Sequence, residues 1–199
     1  MERNICILGD SITWGVSDNE KGGWVSRLWL DSENNKNKEV DIYIYNLGIP
    51  GDITTYLLDR MVIECNARAA DTIIVAIGIN DTAFVNSDKP RTEIDWFREN
   101  IQKIMDIART YTNNITFVGL TPVNEAVINA EDSHYPDCFY NELIIKYDQI
   151  IKELCDQNNI KYIYMYDKLT MDDLSDDGIH PNSSGHNKIF EVIKQENII

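Results

Sequence analysis

Apolar, β-branched runs recur along the chain at Asn4–Leu8, Asp41–Tyr45, Thr72–Ile77, Ile115–Leu120 and Tyr162–Tyr166. Segments of helical periodicity separate them. Trp24–Leu30 is short and amphipathic. Thr54–Ala70 repeats Leu57, Leu58, Met61, Val62 and Cys65 on one face, and Ile94–Tyr111 repeats Phe97, Ile101, Ile104, Met105 and Ala108. Glu142–Asn158 carries Ile145, Ile150, Ile151 and Leu154, and Ser184–Lys194 closes the chain behind Ser183 as its expected cap. Strands alternating with helices predict a three-layer α/β/α sandwich: a flavodoxin-like, five-stranded parallel sheet of strand order 2-1-3-4-5. The Tyr43/Tyr45 and Tyr162/Tyr164/Tyr166 alternations read as sheet-face packing.

Nothing divides the 199 residues, so one domain over 1–199 is expected. The chain has no internal repeat or interdomain linker, and Ser32–Glu39 reads as a polar surface loop. Thr121–Asp137 is longer than most strand-to-helix connections, which makes it a candidate wall or lid over a site. The net charge of −15 argues against nucleic acid or an anionic membrane as partner. No apolar stretch approaches the roughly 20 residues that span a bilayer, and no secretory leader precedes the first strand. Cys6, Cys65, Cys138 and Cys155 are scattered, with no C-x-x-C pair to hold a metal or exchange electrons. A soluble cytoplasmic protein with structural free thiols is the expectation.

Ligands of open α/β sheets bind beyond the carboxyl ends of the strands. The segments there are Gly9-Asp10-Ser11-Ile12-Thr13-Trp14-Gly15, Asn46-Leu47-Gly48-Ile49-Pro50-Gly51-Asp52, Gly78-Ile79-Asn80-Asp81 and Asp176-Asp177-Gly178-Ile179-His180-Pro181. Together they hold the parts for acyl transfer. Ser11 sits in a Gly-containing turn and needs a base within reach. Of three histidines, His180 has Asp177 three residues earlier to accept from its ring and set its tautomer. Asp172, Asp173 and Asp176 compete for that place, but only Asp177 has the offset. His134 reads as solvent-exposed and His186, on the last helix, as a packing or surface residue, and Asp10 and Asp81 read as ligands of loop N–H groups. From the fifth strand to the first is roughly 15 Å, and Asp167–His180 could extend about 40 Å. Candidate oxyanion donors are the N–H groups of Ser11 and Gly48 and the amide of Asn80. Gly48 without a Cβ permits close approach of a substrate.

These four ordered blocks resemble the SGNH, or GDSL-type, serine hydrolases, with Ile12 where the namesake leucine stands. The resemblance implies Ser11 as nucleophile, His180 as general base and acid, Asp177 as its orienting carboxylate, and Ser11, Gly48 and Asn80 as oxyanion donors. It also implies a flavodoxin-like fold that works without metal or organic cofactor. The expected activity is cleavage of a small or lipid-like carboxylic ester, or a thioester, through an acyl-Ser11 intermediate. A deacetylase of O-acetylated carbohydrate is the alternative on the same site. A flavin- or phosphate-binding module is a remote one, because neither G-x-x-x-x-G-K-[ST] nor G-x-G-x-x-G is present. Ile12, Trp14, Pro50, Phe84, Pro122, Val123 and Ile179 flank the blocks and are candidate pocket walls. Asp10, Asp52, Asp81, Asp172, Asp173 and Asp176 flank the same edge, so neutral or cationic esters are the expected substrates.

Overall fold

In the computed structural model, which describes residues 2–35, 40–85, 88–133 and 135–198, alternate side chains of each central strand serve two different cores. Ile5 and Ile7 of β1 (Glu2–Gly9) enter one, while Cys6 and Leu8 enter the other. β3 (Thr72–Ala76) divides the same way, with Ile74 opposite Ile73 and Val75. That period of two on a strand buried on both faces requires helices above and below. α2 (Gly23–Asn34) and α7 (Ser183–Gln195) cover the first face. α3 (Thr54–Ala67), α4 (Ile94–Arg109) and α6 (Asn141–Asn158) cover the second.

The remaining sheet strands are β2 (Asp41–Gly48), β5 (Ile115–Val118) and β7 (Lys161–Ile163). The order is β2-β1-β3-β5-β7, all parallel. Counted within this sheet alone, it is the expected 2-1-3-4-5. β4 (Phe84–Val85) and β6 (Asp137–Cys138) form a separate antiparallel ribbon that the apolar pattern does not reveal. One-turn helices α1 (Ser11–Trp14) and α5 (Glu125–Ile128) are likewise too short for periodicity to show.

Some boundaries differ from the sequence reading. The last sheet strand ends at Ile163, and Tyr166–Lys168 forms a 3-10 turn. The tyrosine run breaks there because Tyr162 donates its hydroxyl to buried Asp148 (2.6 Å) and Met165 is drawn fully into the core. The cap of α7 is Asn182, not Ser183: its side chain accepts from Gly185 N. Ser183 instead accepts from Arg27, whose guanidinium forms a buried ion pair with Asp18 at 2.9 Å. The expected loop Ser32–Glu39 begins instead as helix, with Ser32 to Asn34 forming the last turn of α2, and its second half, 36–39, lies outside the described residues.

Two buried carboxylates fasten strand ends to helices. Asp10 caps α1 by accepting from Ile12 N at 2.9 Å. Asp81 accepts from the N–H and hydroxyl of Thr54 and so holds the start of α3. Burial raises both above the ordinary carboxylate range, Asp10 to about 7 and Asp81 to about 6. Gly9 is the other constraint: a Cβ there would lie 2.1 Å from Thr13 Oγ1 and 2.3 Å from the Ala76 carbonyl oxygen.

Gly9→Ala should therefore lower stability by about 1–3 kcal/mol, seen as an earlier denaturant midpoint, because backbone and α1 must move apart. Asp10 gives a pH signature. Its folded pKa lies above the unfolded one, so its contribution is full below about pH 4 and is lost as pH rises toward 7. Asp10→Asn keeps an oxygen for Ile12 N and removes this loss. The variant's stability relative to the parent should rise between pH 4 and pH 7, by at most about 4 kcal/mol at about 1.4 kcal/mol per unit; equal melting shifts at both pH values would refute the assignment.

Candidate active site

Ser11 opens α1 directly above the end of β1, in the turn that Gly9 makes possible and Asp10 caps. Its hydroxyl lies 2.8 Å from His180 Nε2, although the two residues are 169 positions apart. His180 Nδ1 lies 2.6 Å from Asp177 Oδ2. The other oxygen of Asp177 accepts from the N–H groups of Ile179 and His180 and from the Ser175 hydroxyl. Burial pushes the Asp177 carboxyl upward, but these bonds and the ring of His180 outweigh it and hold the group well below the ordinary carboxylate range. Asp177 therefore stays ionised, and the His180 proton is directed to Nδ1, leaving Nε2 to accept from Ser11.

The loop bearing this pair is braced at both ends. Ser175 N donates to the His180 carbonyl, and Asn182 donates to the carbonyls of Asp172 and Leu174. Asp173, buried, accepts from Thr170, Ser184 and Lys188. Competition among the four loop aspartates thus resolves by environment. Asp177 faces the histidine, Asp173 anchors the loop to α7, and Asp172 and Asp176 are exposed.

Of the three expected oxyanion donors, the Gly48 N–H is already engaged within the fold. Gly48 donates its N–H to Asn46 Oδ1 at 3.0 Å, and a Cβ on it would meet Trp14 N at 2.4 Å. Its lack of a side chain serves packing against α1. Asn46 Nδ2 reaches on to the carbonyls of Thr13 and Trp14, so this asparagine clamps β2 to α1. Three residues after Gly48, Gly51 adopts φ +84 with open space where a Cβ would stand. Among the described residues the N–H groups of Ser11 and Gly51 meet no acceptor. The amide of Asn80 donates one N–H to the Asp52 carbonyl (3.0 Å), locking the Gly51–Asp52 turn beside it. Arg60 binds the Asp52 carboxylate at 2.8 Å and the Gly9 carbonyl at 3.0 Å, tying the turn to the end of β1. Neither Gly51 nor Arg60 stood out in the sequence. Gly51 was visible as the second glycine of Gly48-Ile49-Pro50-Gly51, but choosing between the two needs the direction of each N–H.

The candidate wall residues separate into two groups. Trp14 and Pro50 are exposed, and Phe84 is half-buried edge-on to Tyr140 with ring centroids 5.6 Å apart. Pro122, Val123 and Ile179 are buried, Val123 and Ile179 within the main core. Ile12 lines an apolar cavity of about 30 Å³ with Asp10, Ile77, Ile79, Leu120 and Met165 among its neighbours. The segment 121–137 meets the His180 loop at two described positions. Asn124 N donates to the Gly178 carbonyl at 2.7 Å, and the Tyr135 ring lies 6.1 Å from that of His180. His134 lies outside the described residues, and His186 is fully buried with Nε2 3.0 Å from the Val16 carbonyl.

Four of the carboxylates expected to ring the site turn inward: Asp10, Asp52, Asp81 and Asp173 are buried. Cys6, Cys65 and Cys155 are buried and free, and Cys138 is half-buried. Among the described residues no three acidic, histidine or cysteine side chains gather as a metal site would need, and no helix is long and apolar enough to cross a membrane.

Against known proteins, the chain is similar to an uncharacterised protein, YpmR, of Bacillus subtilis, at 20% identity over 98% of this chain and 82% of that one. Its fold is similar to that of a lipase/acylhydrolase from Enterococcus faecalis, with a TM-score of 0.78 and 22% identity over 98% and 95% of the two chains. An acetylxylan esterase from Geobacillus stearothermophilus superposes with a TM-score of 0.76 at 18% identity, over 98% and 93%. The sequence profile of one family spans residues 7–188, from β1 through the loop of His180 into α7. The chain belongs to the GDSL-like lipase/acylhydrolase family.

Proposed function

We propose that the protein hydrolyses carboxylic esters of small molecules through an acyl-Ser11 intermediate. The observation that carries this reading is the unbroken line from Ser11 Oγ to His180 Nε2 (2.8 Å) and from His180 Nδ1 to Asp177 (2.6 Å). Ser11 attacks the ester carbonyl as its proton passes to Nε2. The imidazolium so formed is stabilised by ionised Asp177, then protonates the departing alcohol. Water repeats the sequence on the acyl-enzyme and releases the acid. Negative charge on the carbonyl oxygen is met by the N–H groups of Ser11 and Gly51 and the second amide N–H of Asn80. All three are fixed beforehand by the Asp10 cap and the Asp52–Arg60 pair, so little reorganisation accompanies reaction. The acetylxylan esterase that shares this fold has been solved as catalytic mutants at a serine, an aspartate and a histidine, the last two three positions apart, as Asp177 and His180 are.

Electrostatic selection against anionic esters rests on fewer groups than the sequence implied. Of the six flanking carboxylates, exposed Asp172 and Asp176 border the His180 loop and face solvent. Neutral esters are the substrates this surface favours.

Ser11→Ala should abolish turnover of p-nitrophenyl acetate and labelling by a fluorophosphonate probe, while the melting temperature stays within a few degrees; retained activity would sink the reading. Asn80→Ala should lower kcat by about 10²–10³. Because Asn80 also holds the Gly51 turn, circular dichroism of the variant must show an intact fold for that loss to count.

A further inference from the structure

We propose that two copies of this chain pair through the outer edge of β2, antiparallel across a two-fold axis, so that two five-stranded sheets become one. The inference is independent of the acyl-Ser11 reading.

The two ends of the sheet are built differently. β7, at one end, has three residues, and its Lys161 is tied to Glu196 at 2.9 Å. A short edge bearing a lysine resists pairing with another chain. β2, at the other end, has eight residues in unbroken parallel register with β1. Its run holds neither lysine nor proline, and the register leaves no bulge. Among the described residues no strand pairs with its outer side. A row of backbone N–H and C=O groups is therefore open along it.

Large apolar side chains stand exposed on this strand and on the helices that flank it. Tyr43 is 45% exposed. α2 packs against β2 on one face and exposes Trp29 and Leu30. α3 covers the other face, with Arg68 over the Tyr45 ring, and exposes Tyr56 and Ile63. Joining the sheets sets the flanking helices of the two copies side by side, where such side chains can be buried.

Charge selects a second copy as the occupant. A chain of net charge −15 repels its own copy wherever acids face acids. Leu47 and Gly48 are buried, and the Asn46 amide is held by the Thr13 and Trp14 carbonyls, so the open stretch is 41–45 with Tyr43 at its middle. Its one charge is Asp41. Antiparallel pairing centred on Tyr43 sets Asp41 of each copy opposite Tyr45 of the other, on the same face of the joined sheet. The Arg68 guanidinium lies 5.5 Å from the centre of that Tyr45 ring. Arg68 bonds Glu64 through Nη1 alone, which leaves Nε and Nη2 for the incoming carboxylate. The same arrangement points the two catalytic edges in opposite directions, so both stay open to substrate.

Sedimentation velocity of the full chain across the micromolar range should show a reversible monomer–dimer equilibrium, and hydrogen exchange of the 41–45 amides should slow as the dimer fills. Tyr43→Lys sets two like charges at the axis and should raise the dimer dissociation constant about tenfold. Its circular dichroism and its turnover of p-nitrophenyl acetate should match the parent. Asp41→Arg should also weaken the dimer, and adding Arg68→Asp should restore it. Should Tyr43→Lys fail to fold, Asp41→Arg, at an exposed position, carries the same test. A chain that sediments as a monomer throughout, a dimer that Tyr43→Lys or Asp41→Arg leaves intact, or 41–45 exchange indifferent to concentration would each overturn the proposal.

Discussion

A hydrogen bond of 2.8 Å joins side chains 169 positions apart, and much of the architecture exists to make that closure reliable. Ser11 is positioned locally, by a turn that Gly9 permits and Asp10 caps. His180 arrives from the far edge of the sheet on a loop with no regular structure between β7 and α7 beyond two 3-10 turns. Loops of this kind ordinarily leave backbone groups to water. Here they are met from within: Asn182 takes two carbonyls, Asp173 binds a lysine and two hydroxyls, and Asp177 binds two N–H groups besides the imidazole. The loop is held by its own polar side chains, which is why it can be both long and exact in placing one ring nitrogen.

The acidic composition acquires a structural meaning from the same pattern. Asp10, Asp18, Asp52, Asp81, Asp148 and Asp173 are all buried, and each accepts hydrogen bonds at a strand end or loop junction near the catalytic edge. They fall into two electrostatic classes. Asp18, met by three backbone N–H groups and Arg27, is held down at about 2 against the upward push of its burial. Asp10 and Asp81 have fewer or weaker partners and rise to about 7 and 6. Burial without a cation destabilises the ionised form, so these two place strain next to Ser11 and Asn80 that the surrounding sheet must carry.

Three of the four blocks were legible in the sequence because each lies where an apolar run stops, and a parallel sheet aligns those stops on one edge; the fourth arrives there on the loop after β7. That Ser11, Asp177 and His180 meet was readable for a further reason: only one histidine has an aspartate at the right offset. Gly48 against Gly51 was not readable. Gly48 ends β2 and Gly51 follows three residues on, and what separates them is the direction of a single N–H, set by whether Asn46 turns back to accept it. Arg60 escaped for a similar reason. It lies in a helix interior whose pattern announces only an amphipathic face, and its contacts with Asp52 and Gly9 depend on how α3 docks. Periodicity reports which faces are buried; it is silent on which polar group a buried arginine finds.

The long segment over the site is better described as a wall than as a lid. Asn129 exchanges two hydrogen bonds with the backbone of Phe139, and Asn141 exchanges two with Val123 while donating its own N–H to Glu125. Asn124 joins the segment to the catalytic loop at Gly178, and the ribbon of β4 and β6 fastens its far end, reinforced by the Arg91–Asp137 pair at 2.7 Å. Opening it would expose Val123 and Ile128, both buried in the main core. Each of those bonds and contacts adds to the barrier against movement, and none is specific to a bound ligand. A site walled this way is formed before substrate arrives, so its selectivity lies in surfaces fixed by the fold.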